Sequence, residues 1–306
     1  MAYDKIINRE GATALETTQQ IVNDIIQGVV EDSQVLPLMT RLPDMTSSQA
    51  SMPVLSALPE AYWVEGDTGL KQTTSVAWKN KYIHAKEVAV IVPLPKAVLD
   101  DANYDIWGQV KPRVVEAAKK VIDEAIITGN NKPTGFRDGL IETIVAAGNT
   151  VPYSANATTY DRISDAMSKV EEDGYDVSAI LGGIKLKGEF RKGLLDSTGQ
   201  PLANSEITEL PKVFVKNGAW AGDVADFIVG DFKQAVYSFR QDATFDVFDT
   251  GVITDGEGKV VYNLLQQDML ALRMVLRFGW ELPNGANVTN PDEATRLPFA
   301  LAETNA

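Results

Sequence analysis

The sequence predicts an α+β chain, a folded body with projecting arms, on three observations. Ile106, Val110, Val114, Ala117, Val121 and Ala125 recur at helical spacing over about 105–128. Leu270, Leu272, Met274, Leu276 and Phe278 alternate with Ala271, Arg273, Val275 and Arg277, the period of a strand with one buried face. Between 51 and 92 runs a stretch of extended-type residues carrying charge on both faces, which a strand buried in its own body would not do.

In chain order, the first fifty residues read as an arm with one helix. Ile21, Val22, Ile25, Ile26, Val29 and Val30 set its apolar face before Asp32-Ser33. Residues 76–92 then read as strand from their Val, Ile, Tyr and Trp content. As one strand they would reach roughly 56 Å, far beyond the usual 5–6 residues. Pro53 and Pro59 belong on sheet edges, and Glu65-Gly66-Asp67-Thr68-Gly69 is a turn. The preferred reading is a two-stranded arm that needs something else to pack on. The alternative is two ordinary strands joined by a polar loop. Lys71, Lys79, Lys81 and Lys86 make this arm basic in an acidic chain, which suits an acidic neighbouring copy. A solvated hairpin fits those lysines equally well. His84, between Ile83 and Ala85, reads as a surface or interface residue.

On the long helix, Arg113, Glu116, Lys120 and Asp123 form the polar face, Pro112 predicts a kink or broken first turn, and Gly129 ends it. Thr158 and Asp161 form a capping box for a helix that buries Tyr160, Ile163, Met167 and Val170 and closes at Gly174. A strand at 177–181, a helix face of Leu186, Phe190 and Leu194, and a turn over 196–201 complete a compact α/β layer. The last third is mostly β, with strands near 227–229, 236–239, 244–248 and 270–278.

Composition removes most catalytic chemistry. The 306 residues contain no cysteine and one histidine, so thiolate nucleophiles, disulfides and multi-histidine metal sites are out, and the sequence implies no cofactor. A formal net charge of -14 opposes a broad basic nucleic-acid footprint. The start lacks the basic and apolar regions of a signal peptide, and the longest apolar run, 88–95, is far below membrane-spanning length. A soluble, cytoplasmically made protein is expected. Two Asp-Thr-Gly triplets, at Asp67 and Asp249, suggest the paired carboxylates of an aspartic protease. Leu70 and Val252 stand where that family has Ser or Thr, and Asp-Thr-Gly is also ordinary turn chemistry, so the protease is kept as a remote alternative. Gly251, Gly256 and Gly258-Lys259 miss phosphate-loop spacing and read as a hairpin turn, and Gly182-Gly183 lacks the third glycine of a dinucleotide fingerprint.

The order of parts resembles the major capsid proteins of tailed phages with the Hong Kong 97 phage fold. Tyr62-Trp63-Val64-Glu65-Gly66 followed by Trp78 resembles that fold's extended loop. Val90-Ile91-Val92-Pro93-Leu94-Pro95, Leu99-Asp100-Asp101 and Tyr104-Asp105 resemble the entry to its spine helix. Ile122-Asp123-Glu124-Ala125 to Gly129 and Pro133-x-Gly135 resemble the helix exit, and Leu195-Asp196-Ser197-Thr198-Gly199 the mid-domain turn. Residues 228–235 and 267–273 resemble the C-terminal strands.

The resemblance implies an N-terminal arm (1–50), an extended β-hairpin loop (51–93), a peripheral domain with the spine helix and long strands (94–149 and 235–300), an α/β axial domain (150–234) and a C-terminal tail (301–306). It implies a structural protein, not an enzyme. Many copies would form pentamers and hexamers of an icosahedral head shell, assembled in the host cytoplasm around double-stranded DNA. The DNA would be held without sequence-specific contacts, the acidic lining attracting it only weakly. No membrane is involved. Tyr62, Trp63, Glu65, Lys71, Trp78, Lys79 and Lys81 are the expected inter-subunit contacts of the loop. A portal and a separate scaffolding protein are expected partners, because the arm starts at Met1 and the loop follows near 51. Some members join Lys to Asn covalently; Lys71, Asn284, Asn287 and Asn290 are present, but no crosslink is assigned. An encapsulin-type compartment of the same fold is the alternative.

Overall fold

The structure, a computed structural model, describes residues 33–64, 71, 73–100, 106–192, 206–220, 222 and 224–304. The expected helix at 21–30, the turns at 65–69 and 196–201, and Leu194 lie outside them.

The chain runs β1 (Thr40–Arg41), β2 (Gln49–Ala57), β3 (Ala77–His84), β4 (Lys86–Pro95), α1 (Lys96–Asp100), α2 (Ile106–Ile127), α3 (Leu140–Ala147), β5 (Thr150–Val151), α4 (Thr159–Glu172), β6 (Ala179–Gly183) and α5 (Leu186–Lys192). It continues through α6 (Glu206–Glu209), β7 (Lys212–Val215), β8 (Ala225–Gly230), β9 (Val236–Phe248), β10 (Val252–Thr254), β11 (Val260–Asn263), β12 (Met269–Glu281) and β13 (Phe299–Glu303). Among the described residues the larger sheets have strand orders β1-β9-β12-β4 and β5-β13-β8-β6-β7, with two hairpins, β2-β3 and β10-β11.

β12 is the strand that period-two alternation predicts. Leu272, Met274, Leu276 and Phe278 are buried, while Arg273 and Arg277 pair on the other face with Asp246 and Glu87, both at 3.0 Å. The alternation shifts at the strand's start, where Met269 and Ala271 join Tyr262 and Leu264 in a small separate cluster. The two short strands expected at 236–239 and 244–248 are one continuous strand, β9, antiparallel to β12.

The stretch expected as one long strand is two. β3 pairs with β2, and after Ala85 the chain enters β4, which pairs with β12 over its whole length. The hairpin therefore ends at His84, and 86–93 belongs to the body. The reason is visible in β4 itself: Val88, Val90 and Val92 pack on the core while Glu87, Ala89 and Ile91 face out. The polar residues on both faces are Lys79 and Lys81 against Asn80 and His84 in β3, and Lys86 against Glu87 at the start of β4.

α2 runs unbroken through the exposed Pro112, where a kink or a broken first turn was expected. Its buried face also differs from the expected one. Burial follows Ile106, Val110, Val114, Ala118, Ile122 and Ile126, leaving Ala117 and Val121 exposed and Asp123 fully buried. Steps of four advance about 40° around a helix each time, so the stripe winds and α2 buries different sides at its two ends. One cluster joins α2 and α3 to both large sheets. α4 matches expectation, with Thr158 Oγ1 accepting from Asp161 N and all four predicted apolar residues buried.

The five-stranded sheet is covered on both faces. Ile180, Phe227, Val229, Ala300 and Ala302 pack under α4 and α5, while Leu181, Ile228, Phe299 and Leu301 join the α2 cluster. Residues 301–303, expected in a C-terminal tail, lie instead in β13, between β5 and β8. Phe-Ala-Leu-Ala is too short to show its alternation by sequence alone.

Candidate assembly interface

The hairpin is rooted in the body and bare toward its tip. Its base is seated where Ile83 joins Met45 and Val236, with Ala50, Met52 and Ala85 around them. Gly279 of β12 makes this seat possible: a Cβ there would lie 2.7 Å from the His84 carbonyl oxygen and 2.8 Å from Ile83 Cγ2. His84 itself is exposed. Beyond the base, Leu55 is opposite Trp78, Val54 opposite Lys79 and Met52 opposite Lys81.

Trp63 is 99% exposed and Trp78 66%, with Tyr62, Val64, Val76 and Tyr82 also exposed. Covering one tryptophan's 150–250 Å² would contribute about 4–6 kcal/mol at 25 cal/mol per Å². Aromatic residues grouped on a projecting element mark a contact surface for another molecule. Lys71 is exposed as well, and Glu65 lies outside the described residues.

Lys79 and Lys81 do something the sequence did not suggest. Both pair with Glu293, at 3.0 and 2.5 Å, within the same chain. Ala286 N also donates to the Leu55 carbonyl at 2.8 Å. The segment 283–297 thus straps the hairpin to the body, and one carboxylate shared by two of the arm's four lysines cancels one of their charges within the chain. Arg296 organises the strap. It is buried, and its guanidinium donates to Asn284 Oδ1, the Asn284 carbonyl and the Asn290 carbonyl at 2.8–3.2 Å. No sequence motif marks Glu293; only its place in a loop that returns past the hairpin gives it this role.

The two lysines hold the Glu293 carboxyl at about 2, well below its ordinary 4.5. A carboxyl lowered in the folded state stabilises the fold above its unfolded pKa and loses that contribution as pH falls through the folded one. The strap therefore contributes fully above about 4.5 and weakens toward 2. Glu293→Gln is expected to cost about 0.5–1 kcal/mol at neutral pH, the group being partly exposed. It should raise amide exchange across β3 while leaving β12 unchanged. Equal exchange in both proteins would show that the strap holds nothing.

Asp249, one half of the expected carboxylate pair, is an exposed residue in the bend after β9, and Asp67 lies outside the described residues. Gly258 turns the β10–β11 hairpin at φ 83, with Asp255 Oδ1 accepting from Glu257 N and Lys259 N. That is turn chemistry, as its spacing implied. Among the described residues no helix is long and apolar enough to cross a membrane, and no group of three acidic or histidine side chains could hold a metal.

Comparison with known proteins places this architecture. The chain is 26% identical over 263 residues to the major capsid protein of Staphylococcus phage 80alpha, covering 84% of this chain and 78% of that protein. It superimposes on a structure from Microbacterium phage Oxtober96 with a TM-score of 0.78 and 32% identity, over 89% of this chain and 91% of the other. A structure from Mycobacterium phage Adephagia gives 0.78 and 27%, over 90% of each chain. The fold is of the Hong Kong 97 type. The model of the phage capsid family matches residues 16–288, and the chain belongs to that family as a shell protein of a tailed-phage head.

Proposed function

We propose that copies of this chain, grouped as pentamers and hexamers, close an icosahedral shell around double-stranded DNA, with the β2–β3 hairpin lying over an adjacent copy. The observation that carries the hairpin's part is Trp63 and Trp78, exposed on an element whose root is fixed. Tyr62, Glu65 and Lys71 belong to the same contact, while Lys79 and Lys81 act by setting the hairpin's angle through Glu293. The four-stranded sheet with α2 serves as the peripheral domain. The five-stranded layer, now including β13, serves as the axial domain. A separate scaffolding protein and a portal complete the assembly in the host cytoplasm. Identities of 26–32% to phage proteins favour this reading over an encapsulin-type compartment.

Trp63→Ser with Trp78→Ser is the test. The variant should melt as the parent does, since neither ring is buried, yet form no closed particles in negative stain. Normal particles would remove the hairpin from the contact. A parent chain that stays at 33 kDa under all conditions would remove the shell.

A further inference from the structure

We infer that the five-stranded layer is electrically polar along its strands, and that its basic end seats on the acidic end of a second copy. The inference rests on the shell reading above and names which residues make one of its contacts. β6 separates the two ends. Glu171, Glu172 and Asp176 lie just before it, all exposed. Lys185 and Lys187 lie just after it, and Lys216 follows β7, which runs parallel to β6 with Gly183 beside Val215. Lys120 of α2 reaches the same end, its Nζ 3.9 Å from where a Cβ on Gly218 would stand. The strand alone separates the ends by roughly 16 Å.

Neither set of charges serves its own helix. Glu171 and Glu172 occupy the last turn of α4, where the helix dipole disfavours anions. Lys185 and Lys187 flank the start of α5, where it disfavours cations, and Lys187 repeats at Arg191 one turn on, a like-charge pair. Among the described residues none of these seven side chains makes an ion pair within the chain. Opposite charges are present at both ends. At the acidic end Lys169 shares the α4 turn, Lys212 opens β7 opposite Ile180 and Lys233 follows β8. At the basic end Asp226 is paired with Arg162 at 2.8 Å, while Glu189, which accepts only from the neutral Thr159 Oγ1 at 3.0 Å, and Glu303 beside Ala225 keep their charge among Lys120, Lys185, Lys187, Arg191 and Lys216.

Opposite charges at opposite ends of one rigid layer are not self-complementary face to face; they are complementary head to tail. A head-to-tail contact repeated by rotation closes a ring. In a chain of net charge -14, copies repel at long range, so a local basic end also selects which acidic surface is met.

The experiment is a charge swap on the full chain. One variant carries Lys185→Glu and Lys187→Glu, a second Glu171→Lys and Glu172→Lys, and a third all four; circular dichroism melts confirm folding. Sedimentation velocity across a salt series then reads the oligomers. Each two-residue variant should need on the order of tenfold more protein to form rings, or form none, and Lys216→Glu, off both helices, should weaken them in the same direction. The four-residue variant should recover rings. Mixing the two single-end variants should give six-membered but not five-membered rings, because alternating copies close only in even numbers. Rings that form at parental concentration in either single-end variant would overturn the inference. So would losses that neither the fourfold variant nor the mixture repairs. A parent that forms no oligomer at any salt would instead overturn the shell reading on which the inference stands.

Discussion

Gly139→Ala is expected to destabilise the body by about 3 kcal/mol or more, the upper end of what overpacking costs. Leaving α2, the chain turns at Gly129, with φ 73, and comes back across its own path at Gly139, where α3 begins. A Cβ on Gly139 would stand 2.3 Å from Gly129 N and 2.5 Å from the Thr128 carbonyl carbon. Those are backbone atoms and cannot rotate aside. Nor can either segment slide, since Ile126 and Ile127 on one side and Leu140 and Ile141 on the other are all buried. Polar ties fix the crossing from outside: Gly139 N donates to Glu142 Oε2 at 3.1 Å, and Lys132 pairs with Asp138 at 2.6 Å and with Glu142. At about 2–4 °C per kcal/mol, a loss of roughly 6–12 °C in thermal midpoint follows. Gly188→Ala is the control. No atom lies within 4 Å of its Cβ position in α5, so alanine there should leave the midpoint unchanged or raise it slightly. A Gly139→Ala protein melting with the parent would show that the crossing can relax.

That crossing is also where the sequence is hardest to read. Gly129 declares a helix end, and nothing near Gly139 says that ten residues later the chain must pass it. Local chemistry was legible wherever one helix or strand decides its own burial. The capping box and four inward residues of α4 are in place, as are the buried positions 272 to 278 of β12. It failed where burial depends on which neighbour arrives. On α2 the straight line through Ala117 and Val121 is the one helical spacing favours, but partners at its two ends pull the stripe to Ala118 and Ile122. The strap shows the same limit. Trp63 and Trp78 could be named as contacts through the resemblance to the family's extended loop, whereas Glu293 meeting Lys79 and Lys81 is a contact between segments more than two hundred residues apart.

Asp123, expected on a polar face, is the buried residue with the largest consequences. It fastens the segment at 33–36 to α2: its Oδ1 accepts from Ser33 Oγ at 2.5 Å, and its Oδ2 from Gln34 N at 3.1 Å and Asn217 Nδ2 at 2.7 Å. These donors are neutral, so burial outweighs them and pushes the carboxyl above its ordinary 3.8. Asp123→Ala would orphan the three donors and open a cavity, an expected loss of about 2–4 kcal/mol. Asp123→Asn is subtler. Its NH2 cannot replace Oδ2, where it would meet two donors, because Asn217 is held in place by Ala219 N donating to its Oδ1 at 3.1 Å. It must replace Oδ1 and donate to Ser33, whose hydroxyl already accepts from Leu36 N at 3.2 Å. A cost of about 1–2 kcal/mol follows. The two proteins should then differ in slope. A carboxyl raised in the folded state contributes stability below 3.8 that is lost as pH rises through the folded value, the reverse of Glu293. The asparagine does not titrate, so the parent's advantage in urea midpoint should shrink as pH rises from about 4 toward 7. An advantage constant across that range would mean that Asp123 keeps its ordinary acidity. Burial would then not be the dominant force on it, and the segment at 33–36 would be held by an ion that the fold accommodates without cost.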